Sequence, residues 1–222
     1  MRIVACGGQL LGDTPELRDY VLSFVESAEP RICLLPTASG DSPEVVARFE
    51  EGLAGRGVLS HVALFRRTIG DVTAHLLAQD VILVSGGNTA SMLAVWRAHG
   101  VADALHEAWQ RGVVLAGSSA GALCWFDGGV TDSFGPTLEP LGDGLGLLDG
   151  SFCPHYDSEP QREPTYVRLV GSGALAPGYA ADDLVALRFA GTQLAEIVAG
   201  RAGARAFRVE RDGEHPLTVR VL

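Results

Sequence analysis

The chain has 222 residues, of which 47% are hydrophobic and 20% are charged, and its formal net charge is −10. This length fits a single domain over residues 1–222, and the composition excludes an intrinsically disordered chain. A chain with this much negative charge repels phosphate groups. We therefore expect neither nucleic acid nor an anionic membrane surface as a partner. All 17 basic residues are arginines, which excludes chemistry based on a Schiff-base lysine or on the lysine of a phosphate-binding loop.

The four cysteines, Cys6, Cys33, Cys124 and Cys153, are scattered and have neither a C-x-x-C pair nor zinc spacing. We therefore expect reduced, buried thiols and no metal site. The opening stretch MRIVACGG predicts a strand rather than a signal peptide, and no apolar run has the length of a membrane span. The expectation is a cytoplasmic monomer or homodimer that needs no metal or organic cofactor.

Short apolar runs alternate with helix-like segments in the first half of the chain. The predicted strands are 2–8, 31–38, 60–65, 80–87 and 112–119, and the predicted helices are 14–28, 42–57, 89–100 and 101–112. This alternation predicts an α/β fold with a mostly parallel sheet and helices on both faces. Residues 127–160, rich in Gly, Pro and Asp, are interpreted as long ordered loops. Strands joined by turns after about residue 178 predict an antiparallel extension of the sheet.

The stretch LAGSSAGALCWF (115–126) contains the pattern G-x-S-x-G between a predicted strand and a predicted helix. In that context the pattern indicates a tight turn that exposes a nucleophilic serine, here Ser119. The N–H of Ala120, at the start of the helix, would face a developing oxyanion. An ordinary turn with Ser119 as a helix cap is the alternative. Cys124, inside the predicted helix, is a weaker candidate nucleophile.

A nucleophilic serine needs a base, and His155 in SFCPHYDSEPQR is the histidine whose loop setting suits that role. A carboxylate should orient the imidazole. Asp132 is the first candidate, and Asp157 and Glu159 are alternatives close to His155 in sequence. Each of the three could instead cap a turn.

A second glycine turn, SGGNTASML (85–93), ends the strand predicted before that of Ser119. Neighbouring parallel strands end at the same edge of a sheet, so Gly87 could offer a second N–H to the oxyanion. Asn88 is a candidate substrate-binding residue, with a helix cap as the alternative. The turn lacks the G-x-G-x-x-G spacing of a dinucleotide-binding loop.

Together with TDS (131–133) and FCPHYDSE (152–159), these motifs resemble the peptidase E family, the aspartyl dipeptidases related to cyanophycinase. The resemblance covers about residues 80–165. It implies a class I glutamine-amidotransferase-like, flavodoxin-like fold and a serine exopeptidase that hydrolyses short peptides, dipeptides with N-terminal aspartate, through a Ser-His-Asp/Glu triad and an acyl-enzyme. Ser119 would be its nucleophile and His155 its base.

The resemblance also implies an oxyanion hole formed by Gly87 and Ala120, and it places Asp132 where the family has its acid. Family members that cleave after an N-terminal aspartate need a cation for its carboxylate, and Arg162 is the candidate here, with a surface ion pair as the alternative. A broader aminopeptidase or dipeptidase, a cyanophycinase-like hydrolase and an inactive flavodoxin-like binding module remain open.

Overall fold

The computed structural model describes residues 1–8, 10–12 and 15–222. The strands of this part of the chain are β1 (Arg2–Cys6), β2 (Arg31–Leu35), β3 (Val58–His61), β4 (Val81–Val84), β5 (Val114–Ser118), β6 (Phe126–Thr131), β7 (Glu139–Leu141), β8 (Leu148–Cys153), β9 (Gly178–Ala181), β10 (Val185–Ala190), β11 (Gln193–Ala199), β12 (Ala206–Glu210), β13 (Gly213–Pro216) and β14 (Arg220–Val221). The helices are α1 (Pro15–Leu22), α2 (Pro43–Gly52), α3 (Val72–Leu77), α4 (Thr89–His99), α5 (Val101–Gln110), α6 (Ala120–Leu123) and α7 (Arg162–Gly171), with a short 3-10 helix at Thr37–Ser39.

The first sheet has eight strands in the order β14-β11-β10-β1-β5-β4-β2-β3. The five strands from β1 to β3 in this order are mutually parallel, whereas β10 runs antiparallel to β1 and β11 antiparallel to β10. Every residue of β4 is buried, as expected of a strand covered on both faces. The predicted α/β fold with an antiparallel extension is confirmed.

Helices cover both faces of this sheet. Leu17 of α1 and Phe49 of α2 pack on one face in a cluster that includes Val4 and Leu34 of the sheet. Helices α3, α4, α5 and α6 pack on the other face. Among the described residues, no helix is both long and apolar enough to cross a membrane.

The second sheet was not predicted. It has six strands in the order β13-β12-β9-β8-β6-β7, and α7 packs on it through Tyr166 and Val170. The interpretation of 127–160 as loops is therefore wrong for β6, β7 and β8. The glycines that suggested loops allow close approach of the strands, because a Cβ on Gly129 would lie 2.1 Å from the carbonyl oxygen of Phe152.

Most predicted boundaries are close to the observed ones. Helix α1 ends at Leu22, earlier than the predicted 28, and the predicted cap Thr14 lies outside the described residues. Strand β3 covers Val58–His61 rather than 60–65. Helix α7 was not predicted, whereas His75 was expected to lie on a helix and lies on α3. The side chain of Asp71 caps α3 and accepts a 2.9 Å hydrogen bond from the N–H of Ala74.

An aromatic cluster joins the two sheets. The ring of Phe126 in β6 stacks on Phe152 in β8 with a centroid distance of 5.1 Å, and it meets the edge of Phe189 in β10 at 5.7 Å. Phe126 is fully buried. Since Phe189 belongs to the first sheet and Phe126 to the second, this contact fixes one sheet against the other.

We expect Phe126→Ala to lower the free energy of unfolding by about 3–5 kcal/mol, because it removes a buried ring and leaves a cavity between the sheets. Phe134→Ala is the control, since Phe134 is 60% exposed and its removal should change stability by less than about 0.5 kcal/mol. Chemical denaturation of both variants measures the difference. Equal effects of the two substitutions would contradict the role of the aromatic cluster.

Candidate active site

Ser119 lies in the sharp turn between β5 and α6. Its backbone has φ 57° and ψ −118°, a strained conformation for a residue with a side chain. Such strain persists only where surrounding packing holds it, and it is typical of a nucleophilic serine on a strand-to-helix turn. The predicted turn at G-x-S-x-G is therefore present, and Ser119 forms no side-chain hydrogen bond as a cap of α6.

A cavity of about 260 Å³ opens in front of Ser119, at the carboxyl ends of the parallel strands. Clefts at this edge are the usual ligand sites of α/β sheets. The cavity, which we call the serine cavity, is lined by residues 11–12, Val45, Arg48, 85–87, 118–119 and His155. Thus two predicted functional side chains, Ser119 and His155, face the same space.

His155 follows β8 of the second sheet and has φ 55°. Its Nδ1 donates a 2.7 Å hydrogen bond to Oδ1 of Asp183, and both side chains are 19% exposed. This hydrogen bond, more than any other contact, lowers the pKa of Asp183. The bond leaves Nε2 of His155 as the nitrogen available for proton transfer. Ser119 Oγ and His155 are not hydrogen-bonded in this structure, as is common where substrate is absent.

The carboxyl end of β1 holds all three of these segments through consecutive backbone carbonyls. The carbonyls of Cys6–Gly8 accept hydrogen bonds in turn from the N–H of Ser119 (3.1 Å), His155 (3.3 Å) and Leu184 (3.3 Å). A Cβ on Gly8 would lie 2.0 Å from Oδ1 of Asp183 and 2.9 Å from Nδ1 of His155. Gly8 is therefore required for the close approach of the hydrogen-bonded pair.

The glycine turn after β4 lies against the serine. A Cβ on Gly86 would be 3.2 Å from Cβ and 3.7 Å from Oγ of Ser119. The N–H groups of Gly87 and Ala120 donate no hydrogen bond within the described part of the chain, so both can take an external acceptor. This arrangement suits the oxyanion of an acyl-transfer intermediate.

None of the predicted carboxylates is hydrogen-bonded to His155 in the structure. Asp132 is exposed and forms no side-chain hydrogen bond with His155. Asp157 instead supports Asp183, because its Oδ1 accepts a 2.8 Å bond from the N–H of Asp183 and its Oδ2 pairs with Arg201 at 2.7 Å. The partner of His155 is therefore none of the three carboxylates expected from the sequence.

Glu159, Arg162 and Asn88 are likewise engaged in structural contacts. Glu159 pairs with Nε of Arg162 at 2.7 Å, and Nη1 of Arg162 donates to the carbonyl of Val130 at 2.9 Å. Arg162 is only 4% exposed and does not line the serine cavity. It is therefore not placed to bind a substrate carboxylate as expected, and the alternative, an ion pair with Glu159, is present.

Asn88 caps α4. Its Oδ1 accepts a 2.8 Å bond from the N–H of Ser91, and its Nδ2 donates to the carbonyl of Ser133 at 3.0 Å. Both polar atoms of the Asn88 amide are bonded within the chain. The geometry therefore supports the role of a helix cap rather than that of a substrate-binding residue.

Cys124 does not compete with Ser119. It is fully buried, its Sγ donates to the carbonyl of Gly121 at 3.3 Å, and burial raises the pKa of its thiol well above the ordinary value. A buried thiol of this kind is unreactive. The part of the chain that the structure describes contains no group of three His, Cys, Asp or Glu residues placed to hold a metal ion.

Asp183 was missed because its sequence context is apolar. It lies in GYAADDLVAL, between β9 of the second sheet and β10 of the first. Its proximity to His155 depends on how the two sheets pack, which local patterns do not reveal. The one signal in the sequence was the acidic doublet Asp182-Asp183, which separates two strand-like runs. Polar residues in such a connection are often functional.

A prediction about pH follows from the Asp183 hydrogen bond. Since its pKa is lowered in the folded state, the stability it contributes is present above the ordinary value of 3.8 and is lost as the pH falls through the folded-state pKa. We expect Asp183→Asn to lower the free energy of unfolding by about 1 kcal/mol near neutral pH, with a shrinking difference in acid. Denaturant titrations of wild type and variant from about pH 7 to about pH 3 measure this. A difference that stays constant into acid would contradict it.

The chain is similar to known peptidases. The family described as "Peptidase family S51" matches residues 3–197. The uncharacterized peptidase YgaJ of Bacillus subtilis (strain 168) is 45% identical over 229 residues, which cover 100% of this chain and 99% of that protein. Peptidase E of Streptomyces coelicolor is 31% identical over 147 residues, which cover 64% of this chain and 58% of that protein.

Among solved structures, a peptidase from an acI-B1 Actinobacterium superposes with a TM-score of 0.73 at 19% identity, covering 98% of this chain and 94% of that chain. This likeness concerns the fold, and it confirms the expected class I glutamine-amidotransferase-like, flavodoxin-like architecture. The match to the family over nearly the whole sequence shows that this chain belongs to peptidase family S51 and is a serine peptidase.

Proposed function

We propose that the chain is an exopeptidase that hydrolyses short peptides, dipeptides with N-terminal aspartate among them, through a triad of Ser119, His155 and Asp183. The observation that carries the proposal is the convergence at one cavity. The strained Ser119 and the imidazole of His155 line it together, and Asp183 holds the far nitrogen of that imidazole at 2.7 Å. Nucleophile, base and orienting carboxylate are the three roles that serine acyl transfer needs.

In the first half of the reaction, Nε2 of His155 takes the proton of Ser119 Oγ as the oxygen attacks the scissile carbonyl. The carboxylate of Asp183 stabilises the imidazolium that forms and keeps its Nδ1–H in place. The N–H groups of Gly87 and Ala120 receive the negative charge of the tetrahedral intermediate. His155 then gives its proton to the leaving amine, and the acyl-enzyme remains on Ser119.

In the second half, water attacks the acyl-enzyme. His155 accepts the proton of the water, a second tetrahedral intermediate forms in the same oxyanion hole, and Ser119 leaves with the proton returned by His155. No step needs a metal ion or an organic cofactor. The side chains named above supply every proton transfer.

The size of the serine cavity favours a short substrate. A volume of about 260 Å³ is small for a ligand site, and it suits a dipeptide better than several units of a polymer. This observation supports the exopeptidase over the cyanophycinase-like alternative. The preference for aspartate rests on the family resemblance and needs a cation that Arg162 does not provide.

We expect Ser119→Ala to lower kcat/KM for dipeptide hydrolysis by about 10⁴-fold or more, because it removes the nucleophile. The assay is a panel of Asp-Leu, Glu-Leu, Asn-Leu and Ala-Leu, with Ser27→Ala, an exposed serine away from the cavity, as the matched control. Equal hydrolysis by wild type and Ser119→Ala would contradict the proposal. So would the absence of hydrolysis of any short peptide by the wild type.

Substitution of Asp183 and of Asp132 distinguishes these two candidates for the orienting carboxylate. We expect Asp183→Asn to lower kcat by about 10³- to 10⁴-fold, because the imidazole loses the anion that fixes its tautomer. The downfield proton NMR resonance of the His155 Nδ1–H should disappear in Asp183→Asn and persist in Asp132→Asn. Loss of that resonance in Asp132→Asn alone would restore Asp132 as the orienting acid.

A further inference from the structure

One charged side chain, that of Arg48, lines the serine cavity among the described residues. Of the described residues that line it, Arg48 carries the one permanent charge, and none is an aspartate or a glutamate. The remaining lining is apolar at Leu11 and Val45 and otherwise consists of glycines, serines and His155. In a chain with a net charge of −10, Arg48 is therefore the described lining residue that can attract a substrate carboxylate by charge.

Within the described part of the chain, Arg48 has no bonded partner. It is exposed and forms no ion pair or hydrogen bond with any described residue. Glu44 lies one turn earlier on α2, but its carboxylate accepts from the hydroxyl of Ser42, which is the main cause of its lowered pKa. Two further acids of the helix, Glu50 and Glu51, do not line the cavity. The charge of Arg48 is thus the smallest of the causes that lower the pKa of Glu44, and no described residue bonds to the guanidinium.

Ser85 and Gly87 also line the serine cavity. Ser85 is 2% exposed, and its hydroxyl has no partner in the described part of the chain. The N–H of Gly87 donates to no described residue. The Gly87 N–H is the group assigned to the oxyanion and the Ser85 hydroxyl is closed off from solvent, so Arg48 is the described lining side chain left for a second polar contact with substrate.

We infer that Arg48 binds a carboxylate of the peptide substrate and thereby determines specificity; this inference rests on the proposed function. A guanidinium presents two parallel N–H donors that match the two oxygens of a carboxylate. The carboxylate belongs either to an acidic side chain at the N-terminal residue or to the C-terminus of a short peptide. Arg48 is a binding residue for the part of the substrate that does not react, and Arg162 has no part in it.

The kinetic test compares Arg48→Gln, which removes the charge, with Arg48→Lys, which keeps it. Arg66→Gln is the control, because Arg66 is exposed, does not line the cavity and removes the same charge from the chain. We expect Arg48→Gln to lower kcat/KM for Asp-Leu by about 10-fold or more, mainly through KM, which is the size of one charge-assisted hydrogen bond. Arg48→Lys should recover part of the loss, and Arg66→Gln should match wild type.

Two further substrates identify the carboxylate. If Asp-Leu-amide shows the same loss as Asp-Leu in Arg48→Gln, the side-chain carboxylate is the ligand. If Asn-Leu shows the same loss instead, the C-terminal carboxylate is the ligand. Ala-Leu-amide, which has neither, should be hydrolysed equally by wild type and Arg48→Gln. Ser119-dependent activity that is unchanged in Arg48→Gln for every substrate would overturn the inference and leave the proposed function intact.

Binding gives a readout that does not depend on turnover. Calorimetric titration of Asp-Leu into Ser119→Ala, and into Ser119→Ala combined with Arg48→Gln, should show a Kd about 10-fold or more weaker in the double variant. Equal Kd values, or no binding to either variant, would overturn the role of Arg48. Loss of hydrolysis in wild type together with a normal Arg48-dependent Kd would instead reject the peptidase activity alone.

Discussion

The site depends on the carboxyl end of β1, where three consecutive carbonyls hold three separate parts of the chain. The carbonyls of Cys6, Gly7 and Gly8 accept hydrogen bonds from the segments that carry Ser119, His155 and Asp183. Central strands are the most rigid elements of a sheet, and a site that is precise to fractions of an ångström needs such support. Gly8 adds a steric requirement, since a Cβ there would collide with Asp183 and His155.

Both sheets contribute residues to the site. The first sheet presents Ser119 after β5 and the glycine turn after β4, whereas His155 follows β8 of the second sheet. Asp183 lies in the connection that passes from β9 in the second sheet to β10 in the first. The hydrogen bond between His155 and Asp183 therefore spans the junction of the sheets, and the aromatic contacts of Phe126 hold that junction together.

The sequence was sufficient to predict the features that depend on local patterns. Buried strands, helix starts and the strained turn at Ser119 have signatures within a few residues, and the two glycine turns lie at neighbouring strand ends as expected. The second sheet escaped prediction because Gly129 and its neighbours resemble a loop while they serve close strand packing. Asp183 and Arg48 were not predicted because their positions in the site depend on contacts between distant segments. Arg162 was wrongly expected to bind substrate because its burial against Val130 has no local sequence signature.

The most direct test of this account is to treat the protein with a serine-directed peptidyl phosphonate and to determine the structure of the product. The account predicts one adduct per chain, covalently bound to Ser119 Oγ, with a phosphonyl oxygen within hydrogen-bonding distance of the N–H groups of Gly87 and Ala120. In that adduct Nδ1 of His155 remains hydrogen-bonded to the carboxylate of Asp183. A stable adduct at any other residue, or a Ser119 that does not react at all, would contradict the account.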